Sequence, residues 1–393
     1  MAPLTLERDG SGPRVEDFLC QLLRRETMVW PHEAGAAFAA DVVERAGAHG
    51  VLPLIHDRIQ SESAPGWPAG VVRICREHAL GQAMAELRHR ALLTQVLATL
   101  AAIHVRPVLL KGTALAYSIY PGSALRPRSD TDLIIAPEAR PGVTAALEAL
   151  GFTRPPDPSR EFTFYQASFI RHEQGGPHAL DVHWRINNAE LLSRLFSYQE
   201  LLQHACPVPR LGPHALAAGT EDALLLACLH RAVHQCVPYY IDGVARYDGD
   251  RLIWLYDIHL LAGRLAQRDW DDLIGRAQDK GLLAVCLEGL ERARTCFHTA
   301  VPEPALAALR RQRAPETVAA YFRSGPARQH WMDFCAIAGA TNKVRFLAEL
   351  AFPPTGYMRA KYSQARFEWL PWLYVRRLSG GVLRRMHGRP HAP

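Results

Sequence analysis

Apolar residues recur at three- and four-residue spacing in Val15–Leu23, Ala36–Ala46 and Val71–Ile103, which predicts amphipathic helices there. Pro31, Pro53, Pro65 and Pro68 predict breaks between them. The period then shortens. Val108–Leu110 and Leu133–Ala136 are short apolar runs that predict strands, and Phe162–Ile170 has the aromatic and β-branched character of another. Ala179–Trp184 is a fourth, reached after the Gly175-Gly176-Pro177 turn, and Ala139–Leu150 is an amphipathic helix closed by Gly151. Helical spacing returns from Glu190, in Leu191–Leu202, Glu221–Cys236, Arg251–Leu265, Trp270–Gln278, Leu282–Phe297 and Pro304–Arg311. No internal repeat or low-complexity linker interrupts the pattern, and Pro353-Pro354-Thr355-Gly356 marks a late boundary. The expected organisation is α+β: a helical region 1–105, a mixed α/β core 106–188, a helical domain 189–352 and a tail 353–393.

The densest chemistry lies where the period changes. Leu109–Ile135 reads as an apolar strand, a Lys111-Gly112-Thr113 turn, a short helix, then Asp130 and Asp132 at the mouth of a second strand. Residues two apart on a strand face the same way, so both carboxylates address one spot. Such a pair is costly without a cation between its members, and oxygen ligands suit Mg²⁺ carrying substrate phosphates. A glycine turn entering a helix offers backbone N–H groups to those phosphates. Asp181, in LDVHW on a later strand, is the best candidate for a third carboxylate. The duller alternative makes the aspartates turn and cap residues. Arg126 and Arg128 either bind triphosphate oxygens or pair with the nearby aspartates to hold the loop.

Composition adds modest constraints. At 393 residues, 48% hydrophobic and 21% charged, the chain suits a soluble protein of two or three domains. Its longest uncharged run, Ala91–Val105, is too polar and short to span a membrane, and no signal-peptide pattern is present, so a cytoplasmic protein is expected. The eight cysteines form no CxxC pair. Lys111 is the sole lysine in the first 279 residues, which mildly supports a phosphate contact. From Arg359 onward, eight basic residues stand against Glu368 alone, whereas the whole chain carries only +6. With Trp369, Trp372 and Tyr374 interleaved, this tail either touches nucleic acid or an acidic surface or, the preferred reading, is a solvated arginine face. Nucleic-acid contact is expected through the tail or not at all.

His183 shares a strand face with Asp181 and is expected to be a packed histidine. His230 and His234 have the i, i+4 spacing that can grip zinc, but no glutamate follows His230 and no third ligand is evident, so a structural role is expected. Trp254, Tyr256 and Asp257 read as a helix packing seam with Asp257 capping or salt-bridged.

The ordered series LKG, YP, R, SDTDLII and DVHW resembles the bacterial uncharacterised nucleotidyltransferase family, within the DNA polymerase β nucleotidyltransferase superfamily. The later HRAVH, RLIWLYDI and DWDDLIGRA segments are similar to that family's helical region, so the resemblance covers roughly residues 85–300. It implies an α+β fold with a small mixed-sheet nucleotidyltransferase core flanked by N-terminal and C-terminal helical regions. It implies that Asp130, Asp132 and Asp181 bind two Mg²⁺ ions, and that Lys111, Gly112 and Thr113, with Arg126 and Arg128, meet the phosphates of an NTP substrate. A nucleoside monophosphate would pass to the hydroxyl of a small-molecule, peptide or protein acceptor. The superfamily has Gly-Ser where Gly112-Thr113 stand, and a shorter gap before the aspartates. Two alternatives stay open: a glycosyltransferase holding a sugar nucleotide on its DxD motif, against which the helices before the motif argue, and a non-catalytic binding or scaffold descendant.

Overall fold

The computed structural model describes residues 15–26, 29–31, 34–62, 66–154, 164–237, 239–241, 244–246, 249–311, 316–353, 355–362 and 369–377. Four helices come first: α1 (Val15–Leu23), α2 (Ala36–His49), α3 (Leu52–Glu62) and α4 (Ala69–Ala102). Next come β1 (Val108–Leu109), α5 (Lys111–Ser118), β2 (Asp130–Ile134), α6 (Arg140–Ala149), β3 (Gln166–Glu173), β4 (Gly176–His183), α7 (Glu190–Ser193), α8 (Tyr198–Gln203), β5 (Cys206–Pro207) and β6 (Leu216–Ala217). The remainder is α9 (Thr220–Cys236), a hairpin of β7 (Tyr239–Ile241) and β8 (Val244–Arg246), then α10 (Leu252–Ala262), α11 (Gln267–Asp279), α12 (Leu283–Phe297) and α13 (Glu303–Arg310). Four more helices follow, α14 (Thr317–Phe322), α15 (Pro326–Ala336), α16 (Ala340–Ala351) and α17 (Thr355–Lys361), and a last short one covers residues 370–377.

The strands make a six-stranded mixed sheet in the order β3-β4-β2-β1-β6-β5. β1 runs parallel to β6, while β3 is antiparallel to β4 and β5 to β6. The fold is therefore α+β, a small mixed sheet flanked by helices on both sides in sequence. Contacts divide the chain into residues 1–132 with 201–322, and 133–200 with 323–393, and the boundary falls within β2.

In the first unit, α1 anchors an aromatic cluster: Phe18 meets Trp30 edge-on at 5.5 Å and lies 5.9 Å from Trp67. Such arrangements add to the burial of large apolar rings. Helices α9, α10 and α12 bury Leu225, Cys228, Ile258 and Leu290 together. Gly289 permits their close approach, because a Cβ there would lie 2.9 Å from Cys228 Sγ. In the second unit, β3 and β4 pair along their full length, from Gln166 opposite His183 to Glu173 opposite Gly176.

Several local expectations change. Pro53 does not break the chain but lies in the first turn of α3, where a missing N–H costs no intrahelical bond. The helix expected over Leu191–Leu202 is two helices, because Ser197 Oγ accepts the Glu200 N–H at 3.1 Å and so caps a new start at α8. The strand expected from Phe162 begins at Gln166, and Phe162 itself lies outside the described residues, as do Arg366, Arg384, Arg385 and Arg389 of the basic tail. Among the described residues no helix is long and apolar enough to cross a membrane.

One buried ion pair ties α10 to the loop before β2. Arg126 donates through Nε to Asp257 Oδ1 at 2.9 Å and through Nη2 to Oδ2 at 2.7 Å, and Tyr120 Oη donates to Oδ1 at 2.7 Å. Removing the carboxylate alone strands a buried guanidinium. Asp257→Ala should cost about 3–5 kcal/mol and lower the thermal midpoint by roughly 10 °C. A midpoint within about 2 °C of the parent in calorimetry would show the pair to be dispensable.

Candidate active site

The site is built on the passage from β1 to β2. Leu110 N–H donates to the Asp132 carbonyl at 3.0 Å, which holds the end of β1 beside β2. Lys111 then turns the chain into α5 with φ of 49°, a left-handed conformation that costs a side-chain-bearing residue roughly 1–2 kcal/mol. From that turn its Nζ donates to Asp132 Oδ1 at 2.6 Å. The Lys111 side chain is 31% exposed and that of Asp132 7%, so a nearly buried carboxylate meets an ammonium that still reaches solvent.

Gly112 faces the Arg126 guanidinium, from which an added Cβ would be 3.4–3.5 Å, an ordinary contact. Thr113 is buried rather than turned toward solvent. Its hydroxyl lies 3.4 Å from the Asp130 carbonyl and 3.1 Å from Thr131 Oγ1, which in turn lies 2.9 Å from His89 Nε2. The direction of this chain follows from its end. A carbonyl only accepts, so Thr113 donates to Asp130, Thr131 donates to Thr113, and His89 donates from Nε2–H to Thr131. α4 thus supports the backbone of the Asp130-Thr131-Asp132 segment through hydroxyls.

Neither arginine of the loop is directed at the two aspartates for its principal bonds. Arg126 is clamped by Asp257, as above. Arg128 Nη2 lies 2.9 Å from both carboxylate oxygens of Glu86 on α4, and both side chains are buried. Of the two readings given to these residues, loop-holding matches their contacts, but their partners are helix carboxylates from distant sequence.

Asp181 and His183 sit two apart on β4. Across the β3–β4 ladder, Ser168 stands opposite Asp181 and donates its hydroxyl to Oδ1 at 2.6 Å, and Gln166 Nε2 reaches Oδ2 at 3.4 Å. Ile135 N–H donates to the His183 carbonyl at 2.9 Å. Asp132, Asp181 and His183 each offer one ligand atom, and these atoms all lie within 4.8 Å of one another. Two carboxylates and an imidazole form a donor set that divalent cations accept, and the ammonium drawn to Asp132 marks the spot as one that favours positive charge. Asp130 is half-buried at the start of β2 and its carboxylate is not one of the three. The signal in the sequence for His183 is its place two residues after Asp181 on the same strand face; the histidine expected to pack is one of the three clustered side chains.

His230 and His234 feel the charges of Lys111 and Asp132 but are not members of the cluster. Their rings are 4.5 Å apart, and His234 stacks on Trp254 at 5.0 Å. Burial, then the neighbouring His234 and Lys111, pushes His230 well below the usual imidazole range. Burial, followed by Lys111 and Arg251, pushes His234 down to about 4. Both are neutral at pH 7. Among the described residues they are not part of any group of three metal-ligating side chains.

Two carboxylates and an imidazole beside a strand–Lys-Gly-Thr–helix turn define a candidate metal site. A family described as uncharacterised nucleotidyltransferase matches residues 39–298, and the chain belongs to that family. Searches of curated proteins and of solved structures returned no match.

Two outcomes test this geometry. If the cluster holds a divalent cation, Mg²⁺ or Mn²⁺ should raise the parent's thermal midpoint and Asp132→Asn should abolish that rise, while shifting the ligand-free midpoint by no more than about 4 °C; an unchanged response would remove Asp132 from the site. His89→Ala should weaken that response by about threefold to tenfold, and His89→Gln, which keeps an N–H donor, should restore most of it. Equal loss in both variants would argue against support through Thr131.

Proposed function

We propose that the protein is a Mg²⁺-dependent nucleotidyltransferase that moves a nucleoside monophosphate from an NTP to an acceptor hydroxyl. The observation that carries this reading is the convergence of Asp132, Asp181 and His183, with Lys111 on Asp132, in a chain of a nucleotidyltransferase family. Asp130, Asp132 and Asp181, joined by His183, would hold up to two ions. Mg²⁺ bound there would neutralise charge developing on the attacking and leaving oxygens.

The chain's own groups do the rest. Lys111, with a flexible stem and an ammonium at the turn, would pair with the triphosphate. Gly112 and Thr113 would contribute through their backbone at the start of α5, since the Thr113 hydroxyl is buried against β2. Arg126 and Arg128 would fix the loop from beneath rather than touch phosphate. Asp181 would take the acceptor hydroxyl proton as its oxygen bonds to the α-phosphorus and the bond to pyrophosphate breaks. Positioning and charge complementarity, without a covalent enzyme intermediate, would supply the rate. We further propose that residues 106–188 carry this chemistry and that residues 189–352 build the acceptor pocket.

Purified protein with Mg²⁺, α-labelled NTPs and cell extract should yield a labelled product and free pyrophosphate, and Asp132→Asn should yield neither. Under the same conditions saturating NTP should raise the thermal midpoint by roughly 5–10 °C. A melt insensitive to every NTP yet shifted by sugar nucleotides would overturn the proposal in favour of glycosyl transfer. Insensitivity to both would favour a binding role.

A further inference from the structure

The last described helix, residues 370–377, carries apolar side chains on its exposed side as well as on its buried one. Its inner face is already committed: Leu373 is 2% exposed, and Tyr374 Oη donates to the Pro353 carbonyl at 2.6 Å. The outer face should then be polar. Instead Trp369, Trp372 and Val375, three apart on one side, are 76%, 55% and 53% exposed. Phe352 is also 63% exposed, its ring 5.8 Å from that of Tyr374. Exposed tryptophans in such a cluster are seldom without a partner.

Charge indicates the partner. Arg376 and Arg377 lie on the same helix, Arg359 is exposed on α17, and the chain from Arg359 onward carries eight basic residues against one acidic. We infer that this C-terminal surface docks on an anionic lipid bilayer. Tryptophan and valine would enter the headgroup–acyl boundary while arginines meet lipid phosphates. No described helix is long and apolar enough to span, so the mode is interfacial. The same surface fits nucleic acid less well, because Val375 offers bases neither a stacking plane nor a hydrogen bond.

The full-length protein would be sedimented with phosphatidylcholine vesicles and with vesicles in which roughly one third of the lipid is phosphatidylglycerol. Expected are binding to the anionic vesicles, little to the neutral ones, and loss in ~0.5 M salt. Trp369→Ser with Trp372→Ser should bind about tenfold more weakly at an unchanged thermal midpoint. Val375→Asp, which keeps both tryptophans, should weaken binding as well. Failure to sediment with anionic vesicles would overturn the inference, as would parent-like binding by both variants. Tighter, tryptophan-dependent binding to a mixed-sequence RNA would overturn it in favour of nucleic acid.

Discussion

Two buried arginine–carboxylate pairs carry the loop on which everything in the site depends. The segment from Arg126 to Arg128 leads directly into β2, and its two guanidinium groups point into the protein instead of toward solvent. A buried guanidinium without a carboxylate is among the costlier things a fold can contain. Asp257 on α10 and Glu86 on α4 supply the two partners. The Arg126–Asp257 pair is forked, Nε and Nη2 facing the two carboxylate oxygens, so it fixes an orientation as well as a distance, whereas Arg128 meets both Glu86 oxygens through Nη2 alone. The loop is therefore held by two helices distant in sequence, and the first residues of β2 emerge from it in one place. Tyr120 tightens the arrangement by donating to the same Asp257 oxygen that Arg126 uses.

On that foundation the turn at Lys111 bears its strain. A lysine with positive φ gives up backbone energy that glycine would not. The compensation visible in the fold is its bond to Asp132, which no residue in a relaxed extended conformation at that point would be assured of making. Strain held in this way by surrounding structure is a common property of binding and catalytic sites. The Thr113-Thr131-His89 chain has a complementary purpose. It satisfies hydroxyls that burial would otherwise leave costly, and in doing so it couples α4 and the start of α5 to the backbone between the two aspartates.

Much of this was legible in the sequence because its signals are local. The helical period of Val15–Leu23 and Leu282–Phe297 reproduces α1 and α12 almost to the residue. The Lys-Gly-Thr turn and the alternating aspartates fell on a strand–turn–helix and a strand as their spacing required. What was illegible is long-range. Nothing in RLIWLYDI says that Asp257 will meet an arginine 131 residues earlier, and Glu86 is an ordinary polar position in the period of α4. The two-residue strands β5 and β6 have no pattern of their own and exist because β1 offers an edge to pair with. Ser197 looks like any serine within a helical run until its hydroxyl is seen capping α8.

The Lys111–Asp132 bond also bears on how cation and nucleotide would bind. Without ligand, the carboxylates of the cluster repel one another, and the Lys111 ammonium offsets part of that repulsion. A divalent cation arriving alone would compete with this ammonium for Asp132, so it would gain less than the carboxylates alone suggest. A triphosphate arriving alone would meet carboxylates of its own sign. Were both to bind, Asp132 would be among the residues holding the cation and the Lys111 ammonium would be free to pair with phosphate, so each would favour the other. By linkage that coupling would be reciprocal: the nucleotide would raise affinity for the cation by the same factor that the cation would raise affinity for the nucleotide. On the proposed function, the strained lysine would be a charge that exchanges partners, held by Asp132 in the empty site and free to meet phosphate once a cation took that carboxylate.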